Sequence, residues 1–473
     1  MRLNRNLFFI IFVYGVLFAF SSFAQETAIE KEIFNLKGEY RVDPHDNGII
    51  VNLRCGFSEI VGVDDALLGR LTQIDNLKEV GFFGCNEITD EGLRVLLTNK
   101  KIKTLHLAYN RGVQGSFVET LAQVRQLEWL DWSFPVVPPT FYSDLKKLNF
   151  LKKLSLNIMV LPNTRPILEN IFVHLKHLSS LRELSLNAII RDTDIPSFQQ
   201  MTFLKKLELR TKLSQPFLVS IGNLVQLEEL ILSGLYTDEE LIFLERLKNL
   251  KKLDLMGTQM TEKTLQRIEK LVALESLSLS SRSPDLGDEV FAHLKTLPQL
   301  VSLNISFPKL TGKGLALLPQ RETIQELDLG STLKDDSILA IIGKMKSLKK
   351  LSLDHTQITD KGIAFLEGLD KLEYLFMNET PITDEALRSI GKMKSLRDLY
   401  LGSTNITSAG LEHLQNLSAL ETLYLDDTKV DDTGLPFLTS LTQLKRLDIK
   451  KGTSVTSTAL QQLQKTFPQL KIF

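Results

Sequence analysis

The length, composition and charge of this chain of 473 residues set the first limits on its function. It carries 56 Lys and Arg against 57 Asp and Glu, which gives a net charge of -1 with neutral histidines. The charge of the whole chain therefore favours neither nucleic acid nor an acidic membrane surface. We expect local surface chemistry to decide what the chain binds.

The N-terminus has the composition of a secretory signal peptide. Arg2 and Arg5 form a basic region, residues 7–20 form an apolar region, and a small-residue cleavage site ends at Ala24. About 14 apolar residues are fewer than the ~20 that a membrane-spanning helix needs, which favours cleavage over a membrane anchor. We predict a signal peptide at 1–24 and a mature chain without a membrane span. The protein is then exported and is secreted, held at the cell surface or periplasmic.

Residues 25–47 are predicted to form an N-terminal cap. Ile29, Ile33 and Leu36 fall on one face of a helix, with charged residues on the opposite face. The apolar face would cover the end of the structure that follows it. A polar turn then leads to a first, degenerate strand around residues 51–53.

From residue 48 onward the chain repeats one template. Successive repeats begin at Leu77, Ile102, Leu127, Leu151, Leu181, Leu204, Leu227, Leu250, Leu274, Leu300, Ile324, Leu348, Leu372, Leu396, Leu420 and Leu444. These sixteen repeats are 23 to 26 residues apart, except for 30 after Leu151, and a closing fragment spans residues 470–473. A fixed period indicates stacked supersecondary units, and a stack grows by addition. We predict one solenoid over residues 48–473, with no separate catalytic domain.

The template is clearest in four successive segments of 24 residues between Leu348 and Gln443. The first segment reads LKKLSLDHTQITDKGIAFLEGLDK. Its L-x-x-L-x-L start has the spacing of a short strand, whereas Ile363, Leu366 and Leu369 fall three apart, as on a short helix. Between them, Thr359-Asp360 supplies oxygens suited to capping a helix. Each repeat is therefore predicted to be strand, turn and helix.

These residues resemble the leucine-rich-repeat family. The match is L-x-x-L-x-L-x-x-T-x-I-T-D-x-G-L-x-x-L-x-x-L from Leu348 to Leu369, and it is most similar to bacterial exported repeat proteins with Thr at the ninth position. The resemblance implies an α/β fold, a right-handed horseshoe solenoid. Its parallel β-sheet would line the concave face and its short helices the convex face.

The repeats between residues 127 and 235 depart from this template. They lose the T-x-I-T-D element, include the loop FPVVPPTF at Phe134–Phe141, and contain a longer repeat at Leu151–Ser180. Two interpretations are compatible with this irregularity. It either builds a binding loop or reflects sequence drift in a tolerant solenoid.

The chain has two cysteines, Cys55 and Cys85, at the eighth and ninth template positions of the first two strands. Stacking of adjacent repeats would bring them close, and an exported protein permits a disulfide. Against a bond, Cys85 occupies the inward site that Thr fills elsewhere, and a buried free Cys is a common core residue. Both states remain open at this point.

Motifs for catalysis or metal binding are missing from the sequence. His174-x-x-His177 places two imidazoles on one helical turn, but a zinc site needs a third protein ligand, and no pattern supplies one. The recurring Thr-Asp pairs have the spacing of helix caps and not of calcium loops. We therefore predict a non-enzymatic protein without a metal or cofactor.

Basic residues recur at the second template position but do not form a continuous stripe. Lys205, Glu228, Lys251 and Glu275 alternate in sign in successive repeats. Opposite charges on neighbouring strands pair laterally. We therefore predict no nucleic-acid binding.

Aromatic residues form a row near the C-terminal end. The fifth template position of three consecutive repeats is aromatic, and outward-facing neighbours add one further ring and polar acceptors. The predicted binding residues are Phe376, Tyr400 and Tyr424, with Tyr374, Asp354, Asn378 and Asp426 beside them. Strands lie ~4.8 Å apart, so this row suits an interface centre, although it could also serve to stiffen the sheet. A weaker second candidate comprises His106, Tyr109, Trp129 and Phe134.

The sequence thus predicts an exported leucine-rich-repeat protein that binds a macromolecule on its concave face, and the favoured class of partner is another protein. The first alternative is a carbohydrate such as a cell-wall glycan, stacked on Tyr400 and Tyr424. A remote alternative is a substrate-recruiting subunit of a ubiquitin ligase, because the repeats also resemble those of F-box proteins. The export signal and the lack of a preceding F-box-like segment oppose it. The oligomeric state is not predicted.

Overall fold

The computed structural model describes residues 28–33, 35–36, 38–43, 46–55, 62–134, 143–158, 170–281 and 286–473. The chain divides into two compact units, an N-terminal unit that ends at Leu227 and a C-terminal unit that begins at Glu228. The predicted signal peptide, residues 1–24, and most of the loop at 134–141 lie outside the described residues.

The described part of the N-terminal unit contains eight strands in one sheet. The strands are β1 (Glu39–Val42), β2 (Ile49–Arg54), β3 (Leu77–Phe83), β4 (Thr104–Ala108), β5 (Trp129–Phe134), β6 (Lys153–Ile158), β7 (Glu183–Asn187) and β8 (Lys206–Leu209). β1 pairs antiparallel with β2, and each later strand pairs in parallel with the one before it. Helical segments lie at 28–33, Asp65–Leu71, Asp90–Leu96, Val118–Leu121, 143–145, Phe172–Leu175, Asp192–Asp194, Ile195–Phe198 and Gln215–Ile221.

The C-terminal unit continues the same pattern with parallel strands. They are β9 (Glu229–Leu232), β10 (Lys252–Thr258), β11 (Ser276–Ser281), β12 (Ser302–Ser306), β13 (Glu326–Asp328), β14 (Lys350–Ser352), β15 (Tyr374–Phe376), β16 (Asp398–Tyr400), β17 (Thr422–Tyr424), β18 (Arg446–Asp448) and β19 (Lys471–Ile472). α-Helices span Glu262–Ile268, Val290–Leu294, Leu339–Ile342, Asp360–Ile363, Asp384–Ile390 and Ser457–Thr466. Tighter 3₁₀ segments span Ile242–Arg246, Lys313–Leu317, Pro319–Glu322, Ala364–Leu366, Ser408–Leu414 and Asp432–Ser440.

The strand register places equal template positions side by side. Leu351, Leu375, Leu399 and Leu423 are consecutive register partners in β14–β17, and each has 0% exposure. Side chains alternate between the two faces of a strand. The fourth and sixth template positions therefore point into the core, and the third, fifth and seventh point to the other face, which we call the open face. The predicted leucine-rich-repeat architecture of a parallel sheet with short helices is confirmed.

Several of the predicted helices are 3₁₀ segments. The repeats that begin at Leu396 and Leu420 continue into Ser408–Leu414 and Asp432–Ser440, both 3₁₀. The physical reason lies in the leucine spacing. A 3₁₀ helix has 3.0 residues per turn, so residues three positions apart lie on the same face. Apolar side chains three apart thus keep one face toward the core in this tighter helix.

The Thr-Asp pairs tie neighbouring repeats together. Thr383 accepts a hydrogen bond from the Glu385 amide at the start of its own helix, as the cap prediction expects. The carboxylate of Asp360, in the preceding repeat, accepts from the Thr383 amide at 2.8 Å and from its hydroxyl at 2.7 Å. The same two contacts join Asp336 to Thr359, Asp384 to Thr407, Asp432 to Thr456 and, in the N-terminal unit, Asp65 to Thr89. We call this series the Asp–Thr ladder.

The glycine of the T-D-x-G element makes room for the ladder. A Cβ atom on Gly362 would lie 2.5 Å from Oδ1 of Asp336, and one on Gly410 would collide with Oδ1 of Asp384. A larger residue at Gly362 or Gly410 would therefore press on the carboxylate of the preceding repeat unless the backbone shifts. Other repeats keep the ladder contact with a larger residue at this position, since Ala386 stands there beside the intact Asp360–Thr383 contact.

Buried threonines close the turn after each strand in the clearest repeats. Hydroxyls at the ninth template position donate to the carbonyl three residues earlier, over 2.6 to 2.7 Å, in Thr356, Thr380, Thr404 and Thr428. Cys85 takes this ninth position in its own repeat and is joined to Cys55 by a disulfide, with the two Cα atoms 5.0 Å apart.

The N-terminal cap region combines a helix and a strand. Residues 28–33 are helical and bury Ile29 and Ile33, whereas Leu36 is partly exposed. β1 follows and pairs with β2. The sequence pattern predicted β2 but not β1. No helix within the described ranges has the length and apolar character that crossing a bilayer requires.

Candidate functional site

Three aromatic side chains stack on the open face of the C-terminal unit. Phe376 is the register partner of Tyr400, and Tyr400 is that of Tyr424. The ring centroids of Phe376 and Tyr400 lie 4.4 Å apart with planes inclined by 18°, and those of Tyr400 and Tyr424 lie 4.2 Å apart with an angle of 16°. Because neighbouring strands are separated by ~4.8 Å, residues in lateral register stack in this way. We call these three residues the aromatic column.

Cationic side chains cover both ends of the column. Lys350 Nζ lies 5.4 Å from the ring centroid of Phe376, and the Arg446 guanidinium lies 5.1 Å from that of Tyr424. The same guanidinium lies 4.3 Å from the centroid of Phe473. Cations favour the electron-rich ring faces. The ring faces are therefore in contact with one another and with these cations. The ring edges, and the hydroxyl groups of the two tyrosines, are what remains for contact with a ligand.

The central ring of the column has a perturbed hydroxyl. Burial is the main cause, with contributions from the neighbouring Tyr424 and the Asp398 carboxylate, and together they raise the pKa of Tyr400 to about 12. At neutral pH this hydroxyl therefore stays protonated and can both donate and accept a hydrogen bond.

The polar residues beside the column are largely used by the sheet. Asp354 accepts a hydrogen bond from the backbone amide of Asn378 at 2.6 Å, and the Asn378 side-chain oxygen accepts one from the backbone amide of Gly402 at 2.8 Å. Burial raises the pKa of Asp354 above its ordinary value. Asp426 lies over Gly402, where a Cβ would come within 2.7 Å of its Oδ1. Asp354 and Asn378 therefore also join neighbouring strands, and the use of these three residues as acceptors for a ligand stays a prediction.

Tyr374, the remaining predicted ring, stands at the third template position of β15. It is partly exposed and has Lys350 and Asp398 as its register partners in the flanking strands. It therefore lies beside the aromatic column and outside the stack.

The weaker N-terminal candidate is brought together only in part. The His106 and Trp129 rings meet edge to face with centroids 4.4 Å apart, and His106 Nδ1 lies 3.2 Å from Asp131 Oδ2. Tyr109 lies beyond the end of β4, with 55% of its surface exposed. The side chain of Phe134 lies outside the described part of the structure.

A polar depression on the open face of the N-terminal unit was not predicted. Its volume is about 350 Å³, and it extends across β5–β8 from Trp129 to Arg210. Small polar side chains form its floor, namely Ser155, Ser185, Asn157 and Asn187. The available sequence signal was this run of serines and asparagines at outward positions, within the irregular repeats.

Lateral ion pairs follow the alternation of charge predicted for the second template position. Lys251 Nζ lies 2.9 Å from Glu228, and Glu421 contacts both Lys445, at 2.6 Å, and Arg397. The basic residues are thus compensated locally. Within the described ranges no three His, Cys, Asp or Glu side chains converge in a way that would hold a metal ion.

Comparisons with known proteins place the repeat motif in a family. Residues 344–366 match the model of the Leucine Rich repeat family. A comparison with curated proteins gave no match.

Similar solved structures include three repeat proteins. A leucine-rich-repeat protein of Leptospira interrogans is 19% identical, with 86% of this chain and 97% of that chain covered and a TM-score of 0.44. An internalin of Listeria monocytogenes is 16% identical, with 94% of this chain and 93% of that chain covered and a TM-score of 0.35. A chain in the structure of the mouse RP105/MD-1 complex is 18% identical, with 84% of this chain and 71% of that chain covered and a TM-score of 0.45.

Proposed function

We propose, from the premise that this chain is a leucine-rich-repeat protein, that it is an exported binding protein whose partner is another protein. The partner is held on the open face of the C-terminal unit, around the aromatic column. The observation that carries this proposal is the stack of Phe376, Tyr400 and Tyr424 on the open face, with centroids 4.4 and 4.2 Å apart.

The column has the properties of an interface centre. Its rings are already ordered by their neighbours and by Arg446, so association costs little side-chain entropy. Tyr and Arg are also the residues that most often dominate binding energy at protein interfaces. The hydroxyls of Tyr400 and Tyr424 add directional hydrogen bonds to this apolar area.

The column suits a protein better than a stacked sugar. A glycan that binds by stacking needs an open aromatic face, and both faces of Tyr400 are covered by Phe376 and Tyr424. The outer face of Tyr424 is covered by Arg446. The available edges and hydroxyls fit the backbone carbonyls and side chains of a protein surface.

The test compares partner binding with and without the column. The chain from Gln25 onward captures proteins from its source, and the dissociation constant for each purified partner is then measured. We expect the triple alanine variant of Phe376, Tyr400 and Tyr424 to bind at least tenfold more weakly, because such anchors contribute ~2 kcal/mol or more each. Phe365→Ala is the matched control, because Phe365 is 55% exposed and lies in a helical segment away from the open face.

A folded triple variant that binds the partner as tightly as the wild type would show that the column only stiffens the sheet. Thermal unfolding of both proteins establishes that the variant is folded. Export is tested separately, by N-terminal sequencing of the protein recovered from outside the cytoplasm. The expected first residue is Gln25, and a retained Met1 would contradict cleavage.

A further inference from the structure

The polar depression owes its shape to the sizes of neighbouring side chains. On β6 and β7 the fifth and seventh template positions hold Ser155, Asn157, Ser185 and Asn187, which are short. Longer side chains border them, with Glu208 and Arg210 beyond β7 and a row of register partners, Trp129, Lys153, Glu183 and Lys206, at the third template position. On β5 the fifth and seventh positions hold Asp131 and Ser133, which are also short, so parallel pairing in register extends the floor as far as β5. The depression is therefore built by the sheet itself.

Opposite charges balance in the lining of this depression. The acidic residues are Asp131, Glu183 and Glu208, and the basic residues are Lys153, Lys206 and Arg210. Three carboxylates against three cations leave a net charge of zero, and Arg210 pairs directly with Glu208. A phosphate, a nucleic acid or a strongly charged peptide would meet as much repulsion as attraction. The balance favours a neutral ligand.

Hydrogen-bonding groups of both kinds cover the floor. The Asn187 side-chain amide donates to the Asn157 side-chain oxygen at 2.9 Å, which orients the two amides relative to each other. Each amide has further donor and acceptor capacity, and the serine hydroxyls both donate and accept. Ligand hydroxyl groups do the same, so they match a lining in which donors and acceptors alternate.

Lys153 covers the ring face of Trp129 at the border of the depression. Its Nζ lies 3.5 Å from the indole ring centroid and 3.6 Å from Glu183. A ligand that displaces Lys153 toward Glu183 would open the indole face to contact.

We propose that this depression binds a short neutral glycan of about one or two sugar residues. Its volume of about 350 Å³ falls at the small end of ligand sites. The glycan site is separate from the aromatic column, because all the residues that line it belong to the N-terminal unit. It also gives the irregular repeats between residues 127 and 235 a function.

The chain offers a built-in reporter for this site. It contains two tryptophans, of which Trp132 is 1% exposed in the core and Trp129 lines the depression. A ligand in the depression should therefore change the intrinsic fluorescence through Trp129. The probes are glucose, mannose, galactose, N-acetylglucosamine and the β1,4-linked disaccharides of glucose and N-acetylglucosamine, with calorimetry as a second measurement.

Two variants test whether the response comes from this site. Ser185→Leu fills the floor, and we expect at least a tenfold loss of affinity for the saccharide that binds. Ser278→Leu is the matched control, since Ser278 occupies the same template position on β11 of the C-terminal unit, and it should bind as the wild type does. Asn187→Ala should weaken binding about threefold to tenfold, the loss expected for one hydrogen-bonding group.

Each outcome decides for or against the proposal. Saturable binding that Ser185→Leu abolishes and Ser278→Leu retains supports it. The proposal is overturned if no saccharide binds, if binding survives in Ser185→Leu, or if inorganic phosphate at equal concentration produces the same response. The triple alanine variant of the aromatic column should bind the saccharide normally, so a failure of the protein-binding proposal leaves this result unaffected.

Discussion

Removal of one carboxylate from the Asp–Thr ladder should destabilise the C-terminal unit by about 2 kcal/mol. Asp360→Ala deletes the acceptor of two hydrogen bonds from Thr383, at 2.8 Å from its amide and 2.7 Å from its hydroxyl. Hydrogen bonds to charged groups contribute roughly 1.5–3 kcal/mol each. The contacts are only partly buried, so water replaces some of the lost interaction. We therefore expect the bond from the amide to contribute about 1.5 kcal/mol, the lower end of this range, and the bond from the hydroxyl to contribute less.

A double-mutant cycle separates the contact from the other roles of its partners. Thr383→Ala removes the hydroxyl, which also caps its own helix, and should cost ~1 kcal/mol from the cap in addition to the ladder contact. The double variant should then be about 1 kcal/mol more stable than the sum of the single losses predicts, because the hydroxyl contact is counted twice.

The assay must resolve local stability, because long repeat arrays need not unfold in a single step. Native-state hydrogen exchange of the amides in the helix Asp384–Ile390 reports the repeat next to the substitution. Asp370→Ala is the control, since Asp370 is exposed and its carboxylate makes no hydrogen bond to a described residue. A loss for Asp360→Ala no larger than that for Asp370→Ala would refute the ladder as a source of stability.

Three further predictions concern individual positions. Gly362→Ala should cost ~1–3 kcal/mol by overpacking against the ladder carboxylate, whereas Gly368→Ala, whose Cβ would meet only a flexible lysine end, should change urea unfolding by less than ~0.5 kcal/mol; equal losses would contradict the steric argument. The folded pKa of Tyr400, about 12, lies above its ordinary 10.0, so its contribution to stability is complete below pH 10 and is lost as the pH rises towards 12. The difference in tyrosinate absorbance between the wild type and Tyr400→Phe should therefore have its midpoint near pH 12, and a midpoint near 10 would argue against a buried column. Replacement of Cys55 and Cys85 by serine should lower stability by ~3 kcal/mol, since their bond closes a loop of 30 residues, and thermal unfolding with and without reductant should show no such difference if the bond is absent.

The sequence predicts which residues of neighbouring strands lie side by side, because the repeat period fixes the register. Residues 24 positions apart, such as Tyr400 and Tyr424, fall opposite each other once the strands pair in register. The separation of their rings then follows from the spacing of strands. The orientation of the ring faces depends on side-chain rotamers and on Arg446, which belongs to a third strand. For that reason the sequence suggested a surface for stacking a sugar, whereas the structure has those faces covered.

The Asp–Thr ladder was also only partly predictable, because a local motif does not show contacts between repeats. Thr359-Asp360 reads as a cap for the helix that follows it, because capping joins a side chain to a backbone amide two or three residues later. The Asp360 carboxylate instead bonds Thr383, 23 residues away, a contact that exists only after two repeats have stacked. The sequence pattern predicts that a carboxylate stands at this position, but not whether its donors come from its own helix or from the next repeat.

The polar depression gave the weakest sequence signal because short residues create it. Ser155, Ser185, Asn157 and Asn187 at outward positions are typical of an ordinary solvated strand, and each one alone suggests nothing more. Their effect arises from lateral pairing across the repeat of 30 residues, which brings Asn157 to Asn187. A site formed by the absence of bulk requires the neighbours that surround it to be known, so it is found only when β5–β8 are placed side by side. By this reasoning, other leucine-rich repeats that interrupt a regular template with serine and asparagine at the fifth and seventh positions should contain similar depressions, and a bulky residue at either position should remove them.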